Sequence, residues 1–297
     1  MATDMKAELA RRTAEVNSII EGFLPEETGM QKTVLQAMNY SVRAGGKRIR
    51  PILMQETHRL FGGHSGALPS FMAAIEMVHT YSLVHDDLPA MDNDRFRRGK
   101  ETTWAVYGEG MGVLAGDALL NYAFEIAADA VVQYPEVPAA ARALRILAKK
   151  SGAGGLIGGQ AVDVEMEGKE ISILKMEFIH GKKTCALIEA AMLIGAVLGG
   201  ATPAEQAMVE ESAHALGMAF QIRDDILDVV GDAKKLGKPV GSDEKNRKQT
   251  YVSLVGLEAS RAEVKQQTTI AVESLRHTGR ENPFLVDLMY YLADRES

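Results

Sequence analysis

Cysteine, proline and aromatic residues are all scarce in this sequence, and each scarcity narrows the class of protein. The 297 residues include one cysteine, Cys185, which excludes an internal disulfide and indicates a reducing compartment. Only nine prolines interrupt the chain, so long stretches are free to form helices. The formal net charge is −7, and this acidic balance does not favour a nucleic-acid-binding face. These features predict a soluble, cytoplasmic protein.

Long hydrophobic runs are missing as well. The first residues carry acidic side chains and no apolar core, which does not match a secretory signal. The longest apolar run, 187–201, is interrupted by Glu189 and by glycines, and it is too short and too mixed to cross a bilayer. This run predicts a helix that is buried in the protein core.

Helix-forming residues dominate what remains. Alanine, leucine, methionine and glutamate are frequent, while alternating strand-like runs are nearly absent. Clusters of glycine and proline mark the breaks between segments. We expect one all-α domain over residues 1–297, with roughly ten or more helices. The predicted helices are 5–22, 30–43, 50–61, 67–86, 110–131, 138–151, 153–168, 172–199, 203–229, 249–272 and 282–294.

A first group of acidic residues lies in the stretch VHDDLPAMDNDRFRRG, which contains no glutamate or lysine. Asp86 and Asp87 are adjacent, and Asp92 follows them after LPAM. Short acids followed by arginines favour oxygen ligands for a hard metal ion beside a clamp for an anion. Adjacent aspartates also cap helices and form turns, so this group alone does not establish a metal site.

A second acidic group lies much later, in FQIRDDILDVVGD. Asp224 and Asp228 are four residues apart, which puts both carboxylates on one face of a helix, and Asp225 adjoins them. Two like charges about 4 Å apart repel by about 4 kcal/mol at an effective dielectric constant near 20, so a cation should lie between them. Magnesium fits, because it takes carboxylate oxygens and commonly completes its shell with substrate phosphates. Helix caps or solvated faces explain two such groups less well than one.

Basic residues form two further sets, and each is predicted to bind an anion. Lys47 and Arg50 are three residues apart in GGKRIRP, where the glycines permit close backbone approach. His79 precedes Asp86 by seven residues, which is about two turns of a helix. Taken singly, each lysine or arginine is more often a solvated surface residue, and His79 is more often a core or helix-packing residue. One set would bind an anion directly and comprises Lys47, Arg50, His79 and Arg98. The other would assist magnesium on a second anion and comprises Arg97, Lys183 and Lys238.

This combination resembles the trans-type short-chain prenyl diphosphate synthases, and among them most closely the bacterial farnesyl diphosphate synthases. The resemblance covers nearly the whole chain. A lone DDxxD would be a weak signal, but two such motifs with GGKRIRP before them and Lys-Thr between them are specific. The motifs that carry it are 45–51, 79–92, 97–99, 116–117, 158–163, 183–184, 220–228, 237–238 and 248–251.

The resemblance implies an all-α isoprenoid synthase fold around a central cavity, a homodimer, and magnesium as cofactor, with three ions per active site when substrate is bound. The implied ligands of the metal and of an allylic diphosphate are Asp86, Asp87, Asp92, Asp224 and Asp228, assisted by Arg97, Lys183 and Lys238. The implied ligands of isopentenyl diphosphate are Lys47, Arg50, His79 and Arg98. Thr184 and Gln221 would lie near the developing allylic cation.

The implied reaction joins isopentenyl diphosphate head-to-tail to dimethylallyl or geranyl diphosphate, giving the fifteen-carbon farnesyl diphosphate and releasing diphosphate. Tyr81 lies five residues before Asp86, which is about 7.5 Å along a helix. A bulky ring there would form a floor for the growing hydrocarbon, and the small Ser82 beside it would shape the wall. The alternative is that Tyr81 packs in the core with its hydroxyl satisfied.

Three other functions stay open on the sequence. A geranylgeranyl diphosphate synthase would share the motifs but more often carries a smaller residue at position 81. A class I terpene cyclase would share one aspartate motif but not GGKRIRP, and a non-catalytic partner subunit typically loses an aspartate motif. Glu101 and Trp104 depart from the usual pattern of the family, and both bear on loop geometry. Cys185 is interpreted as a packing residue.

Overall fold

The residues that the structure describes are mainly helical, and the all-α prediction is confirmed. The computed structural model describes residues 5–230 and 249–295. Within those ranges the only sheet is an antiparallel hairpin of β1, Phe96–Arg97, and β2, Lys100–Glu101. The helices are α1 Met5–Glu21, α2 Lys32–Arg43, α3 Ile49–Leu60, α4 Leu68–Asp86, α5 Thr103–Tyr107, α6 Glu109–Gln133, α7 Ala139–Ser151, α8 Leu156–Glu165, α9 Ile173–Ile179, α10 Ala186–Leu198, α11 Pro203–Val230, α12 Tyr251–Val255, α13 Leu257–Arg276 and α14 Pro283–Asp294.

Some predicted helices differ from the observed ones. The predicted helix 249–272 is wrong as a single element, because Gly256 at φ +86° separates α12 from α13 in a conformation that favours glycine. The predicted helix 172–199 contains a π-helical segment, His180–Cys185, between α9 and α10. The predicted helix 153–168 is shorter, and the hairpin and α5 were not predicted.

The chain divides into two compact units. The N-terminal unit consists of Lys6–Ile52 and Ser65–Leu144. The C-terminal unit consists of Met5, Leu53–His64 and the described part of Arg145–Ser297. The prediction of a single domain over the whole chain stays a prediction.

The core of the N-terminal unit is built on α4, which packs along α6. Phe71, Met72 and Ile75 are fully buried in α4, as expected for a helix that is apolar around most of its circumference. Small residues of α6 allow the two helices to approach closely. A Cβ atom on Gly116 would lie 2.1 Å from His85 Nε2, so a larger residue there would force the His85 ring to move. This packing fixes the helix that ends in the first aspartate motif.

The core of the C-terminal unit is built on α10, in which every residue is buried, and which packs against α11. The prediction that the apolar run forms a buried helix is confirmed. Among the residues that the structure describes, no helix is long and apolar enough to cross a membrane. Cys185 is buried at the start of α10, and burial raises the pKa of its thiol, which keeps the thiol protonated and unreactive.

Candidate active site

The first aspartate motif lies where α4 ends. The Asp87 N–H still donates to Leu83 O at 3.0 Å, in the pattern of the helix. The next residues turn back, so that the Asp92 N–H donates to Asp86 O at 2.9 Å. The spacer LPAM therefore forms a compact turn, and it returns Asp92 to the helix end that carries Asp86.

Asp87 is buried and paired with Arg97. Its Oδ1 accepts a hydrogen bond from Arg97 Nε at 2.7 Å and lies 2.6 Å from Nη2. Burial raises the pKa of Asp87 to about 6, although the hydrogen bond from Arg97 acts in the opposite direction. Burial also disfavours the charge on Arg97, but the bond to Asp87 outweighs it and raises the pKa of Arg97. The buried carboxylate thus depends on this guanidinium for compensation.

A two-residue turn presents Arg98 beside the glycine-rich segment. Arg98 and Gly99 connect β1 to β2, and both have positive φ, +54° and +77°. Positive φ at both turn residues is the pattern that matches the twist of a tight hairpin. Arg98 Nη1 donates to Gly45 O, and burial lowers the pKa of Arg98. Gly46 has φ +148°, a backbone conformation that residues with a side chain rarely adopt, which explains the glycine.

His79 lies among guanidinium groups. Burial lowers the pKa of His79 well below its usual value, so the ring is neutral at pH 7. The arginines whose charges lower this pKa further are Arg50, Arg98, Arg97 and Arg48. The structure therefore brings together three of the four residues predicted to hold isopentenyl diphosphate: His79, Arg50 and Arg98. A neutral imidazole in such a place can still donate one hydrogen bond to an anion.

Arg48, in the middle of GGKRIRP, is turned into the protein. Its φ is +50°, which is uncommon for a non-glycine residue. Its guanidinium is buried, with Nη1 2.6 Å from Glu76 Oε1, Nε donating to Asn17 Oδ1 at 2.8 Å, and Nη2 donating to Val42 O at 2.6 Å. Glu76 lies three residues before His79 on α4, so the pair joins the GGKRIRP loop to that helix. Sequence reasoning missed this pair, because nothing in the motif separates a buried arginine from a ligand-binding one.

Tyr81 is 5% exposed on α4, and its ring meets the ring of His85 edge-to-face with centroids 5.8 Å apart. Burial raises the pKa of Tyr81 to about 12, and the nearby Asp86 adds to the shift. Ser82 Oγ donates to His79 O at 2.9 Å, so this hydroxyl is satisfied within the helix. Since α4 is uninterrupted, Tyr81 lies about 7.5 Å from Asp86 along the helix axis.

The residues that depart from the family pattern fasten the loop after the arginines. Glu101 O accepts from the Tyr40 hydroxyl at 2.7 Å, and the Glu101 carboxylate accepts from Arg95 Nη2 at 3.1 Å. Trp104 Nε1 donates to Asp94 O at 2.9 Å. None of these bonds involves a side chain that was predicted to bind substrate.

The second aspartate motif lies inside α11, and its members have different surroundings. The Asp224 side chain is 42% exposed and accepts a hydrogen bond from Arg295, whose guanidinium stacks 3.8 Å from the centre of the Phe220 ring. Asp228 is buried. The sequence assigned no role to Arg295, and its position just after α14 gave no signal of this contact.

Asp225 is also buried and is bonded on both oxygens. Oδ1 accepts from Gln221 Nε2 at 3.0 Å, and Oδ2 accepts from the Tyr251 N–H at 2.8 Å. Burial raises the pKa of Asp225 to about 6, and these two hydrogen bonds act in the opposite direction. Unlike Asp87, this carboxylate is held by neutral donors.

Lys183 and Thr184 lie in the π-helical segment, a deformation that is frequent at functional sites. Lys183 Nζ donates to Asp163 Oδ2 at 2.7 Å, and Thr184 Oγ1 donates to Gln221 Oε1 at 2.7 Å. A Cβ on Gly159 would lie 2.4 Å from the Lys183 backbone nitrogen, so α8 can approach this segment only through glycine. Gly159 and Asp163 belong to the GGQAVD stretch, to which the sequence gave no role.

Magnesium fits the donors of the first motif. Asp86 and Asp92 bring hard carboxylate oxygens to one helix end, and a nearby cation would favour the ionised form of Asp87. In the two described ranges, no group of three or more His, Cys, Asp or Glu residues could hold a metal ion by itself. Magnesium that is completed by substrate phosphates needs only one or two carboxylates. Lys238, a predicted phosphate ligand, lies outside the described residues.

Comparison with known proteins gives the family. The model described as polyprenyl synthetase matches residues 31–282. Farnesyl diphosphate synthase of Geobacillus stearothermophilus is 43% identical over 263 residues, which cover 88% of this chain and 88% of that protein. Geranylgeranyl diphosphate synthase of Cyanophora paradoxa is 46% identical over 245 residues, which cover 81% of this chain and 79% of that protein.

Comparison with solved structures also places this chain among the prenyl diphosphate synthases. A geranyltransferase from Helicobacter pylori, complexed with magnesium and isoprenyl diphosphate, has a TM-score of 0.82 and 28% sequence identity, with 98% of this chain and 97% of that chain covered. The predicted isoprenoid synthase fold is confirmed, and the terpene cyclase alternative is set aside. The chain belongs to the polyprenyl synthetase family and is a trans-prenyl diphosphate synthase, a prenyltransferase.

Proposed function

We propose that this prenyl diphosphate synthase makes farnesyl diphosphate. It would join isopentenyl diphosphate head-to-tail to dimethylallyl or geranyl diphosphate and release diphosphate. The observation that carries this product length is the buried ring of Tyr81, five residues before Asp86 on an uninterrupted helix. The similarity to the farnesyl diphosphate synthase of Geobacillus stearothermophilus supports the same product.

The proposed site for the allylic diphosphate combines metal ligands with cations. Arg97 and Lys183 now donate to Asp87 and Asp163, and both would turn their donors to phosphate oxygens, with Lys238 as a third cation. The family is magnesium-dependent, and the bound ions, three in this proposal, would supply positive charge to the departing diphosphate. The proposed metal ligands are Asp86, Asp87, Asp92, Asp224 and Asp228.

Isopentenyl diphosphate would be held by cations without a metal. The proposed ligands are Lys47, Arg50, His79 and Arg98. Because His79 is neutral, it contributes one directed hydrogen bond, while the arginines contribute charge and forked donors. Holding both substrates by separate diphosphate groups makes their encounter effectively unimolecular, which removes much of the barrier of a two-substrate reaction.

The chemistry needs charge stabilisation more than a general base. The allylic C–O bond breaks and its electron pair leaves with the diphosphate. The isopentenyl double bond then attacks the allylic cation, and the resulting cation loses a proton to the released diphosphate. Thr184 Oγ1 and Gln221 Oε1 would stabilise the allylic cation by their partial negative charges.

The test of the product length is the substitution Tyr81→Ala. Removing the ring should open the floor, so that the product shifts from fifteen to twenty or more carbons. Purified protein would receive labelled isopentenyl diphosphate with geranyl diphosphate, and the released alcohols would be sized by chromatography. Tyr290→Ala is the matched control, because that tyrosine is exposed on α14. An active Tyr81→Ala variant with an unchanged product would contradict the floor.

A twenty-carbon product is the second candidate, and the similarity to the geranylgeranyl diphosphate synthase of Cyanophora paradoxa favours it. Use of farnesyl diphosphate as a starter by the wild-type protein would support it. We also propose a cytoplasmic homodimer on the family resemblance. Light scattering on the purified chain would test the dimer directly.

A further inference from the structure

Asp225 is the second letter of the DDILD motif, yet its surroundings differ from those of its neighbour. Its side chain is 6% exposed, against 42% for Asp224. Both of its oxygens accept hydrogen bonds from groups of the protein, Gln221 Nε2 and the Tyr251 N–H. A carboxylate that is buried and bonded in this way is placed for interactions within the protein.

The carboxylate also decides how the amide of Gln221 is turned. Only the amide nitrogen can donate to Asp225 Oδ1, so Gln221 Oε1 must face the other way. There it accepts the hydroxyl proton of Thr184 at 2.7 Å. The three groups form one directed series of hydrogen bonds, in which Thr184 donates its hydroxyl proton and both lone pairs of Thr184 Oγ1 stay available.

Three structural elements hold this series of hydrogen bonds in place. Asp225 and Gln221 are one turn apart on α11, while the Tyr251 N–H comes from the first residue of α12, where Thr250 caps the helix. The ring of His180, in the π-helical segment, stacks on the ring of Tyr251, and its Nε2 lies 3.6 Å from Asp225 Oδ2. This distance exceeds that of a hydrogen bond, so the two direct bonds fix the carboxylate.

We propose that Asp225 is a positioning residue, which acts through Gln221 and Thr184 and is not a ligand of magnesium. The inference rests on the proposed function, in which the oxygens of Gln221 and Thr184 stabilise the allylic cation. Hydrogen bonds to an ionised partner are stronger than neutral ones and polarise the bonds that follow. Asp225 therefore sets the direction of both dipoles before the cation forms, so no reorganisation is needed during the reaction.

The variant that tests this role is Asp225→Asn, which keeps the shape of the side chain. Asparagine has one acceptor oxygen, so it can accept from Gln221 or from the Tyr251 N–H but not from both. The asparagine nitrogen would then face either Gln221, whose amide would have to turn over, or the Tyr251 N–H, which would lose its acceptor, so either placement disturbs the contacts that fix Gln221. Misplacing a group by about 1 Å can cost about 10²-fold in rate, so kcat should fall by about that factor.

The readouts separate positioning from metal binding. For Asp225→Asn, KM for both substrates and the magnesium concentration at half-maximal rate should stay at the wild-type values. Calorimetry of inorganic diphosphate binding with magnesium should also match the wild type. Asp224→Asn, the neighbouring control, should weaken this binding. Asp287→Asn, an exposed aspartate on α14, should behave as the wild type.

A double-mutant cycle tests whether Asp225 acts through Gln221. Gln221→Ala should lower kcat, and adding Asp225→Asn to it should lower kcat little further, because the orientation that Asp225 provides is already lost. If Asp225→Asn unfolds, as thermal melting would show, Asp225→Glu serves instead. It keeps the charge but displaces it, and it should give the same pattern with a smaller loss.

These experiments distinguish a failure of the positioning role from a failure of the proposed function. A wild-type protein that makes no prenyl product would overturn the proposed function and the positioning role with it. An active wild type would overturn the positioning role alone in three cases: an unchanged kcat for Asp225→Asn, a weakened magnesium and diphosphate binding equal to that of Asp224→Asn, or fully additive losses in the cycle. A lower kcat with unchanged binding and non-additive losses would support it.

Discussion

The two aspartate motifs begin with the same two letters, but their buried members are held in different ways. In the first motif, Asp87 is paired with the guanidinium of Arg97, which comes from the hairpin. In the second motif, Asp225 is held by an amide and a backbone N–H. Burial raises the pKa to about 6 in both cases. Two aspartates at the second position of their motifs, both with a raised pKa, are therefore held by different partners: a guanidinium in one case and neutral donors in the other.

The contact of Asp87 can be exchanged for a ligand, whereas the contacts of Asp225 are fixed by the fold. Arg97 is a long side chain on a two-residue strand, and it can release Asp87 when a diphosphate offers better oxygens. Gln221 and the Tyr251 N–H are parts of the packed C-terminal unit and stay with Asp225. The first region also depends on a second ion pair, Arg48 with Glu76, in a buried place. Charge pairs dominate the first region, and neutral hydrogen bonds dominate around Asp225.

The largest effect is expected from breaking the buried pair of the first region. Arg48→Met leaves the Glu76 carboxylate buried without its cation, which should lower the free energy of unfolding by about 3–5 kcal/mol. Urea unfolding followed by circular dichroism measures this loss. Arg11→Met is the control, because Arg11 pairs with Glu8 at the surface, and it should change stability little. Equal losses for the two variants would show that the Arg48 pair is no more important than a surface pair.

The next effect compares the proposed metal ligands of the two motifs. Asp86→Asn and Asp224→Asn should each lower kcat by about 10²- to 10³-fold, because each removes charge that holds the metal on the departing diphosphate. Initial rates at saturating substrate and magnesium measure the loss. A wild-type rate in either variant would contradict the proposal that this aspartate binds a catalytic metal ion.

The pH dependence of stability should be similar for the two buried carboxylates. The pKa of Asp87 and of Asp225 is raised from 3.8 to about 6, so the folded state holds these protons more tightly than the unfolded state. The stability that each group contributes is fully present below about pH 4 and is lost as the pH rises through about 6. As the pH rises over that range, the difference in free energy of unfolding between the wild type and Asp87→Asn or Asp225→Asn should shift in favour of the variant by on the order of 2–3 kcal/mol.

Urea unfolding in metal-free buffer at a series of pH values measures these gains. A variant whose difference from the wild type does not change with pH would contradict the raised pKa of that carboxylate. A gain at one position and none at the other would show that the two kinds of support have different electrostatic consequences.

The smallest effect is expected at the exposed end of the second motif. Arg295→Ala removes the cation that pairs with Asp224; the Arg295 side chain is 6% exposed, but the Asp224 carboxylate is 42% exposed, and solvent screening there keeps the attraction to about 1 kcal/mol. The freed carboxylate should lower the magnesium concentration at half-maximal rate by at most about five-fold. Arg276→Ala, an exposed arginine at the end of α13, should leave that concentration unchanged. A higher magnesium requirement for Arg295→Ala would contradict the expectation that Arg295 and magnesium compete for the Asp224 carboxylate.

Long helices with apolar faces were predictable from the sequence, and α4 and α11 lie close to their expected bounds. The hairpin was not, because two-residue strands carry no periodic signal and Arg98 occupies a backbone region where glycine or asparagine is usual. Helix spacing separated Asp225 from the face of Asp224 and Asp228, but it could not show what Asp225 contacts. Adjacent residues on a helix point about 100° apart, and the packing of α11 on its neighbours decides which one is buried.

The most direct test of the proposed farnesyl diphosphate synthase activity is the product assay on the wild-type protein. Labelled isopentenyl diphosphate would be supplied with dimethylallyl, geranyl or farnesyl diphosphate, with and without magnesium, and the alcohols released from the products would be sized. We expect a magnesium-dependent fifteen-carbon product from the first two starters and little use of the third. A twenty-carbon product would contradict the floor at Tyr81, and the absence of any condensation would contradict the proposed function as a whole.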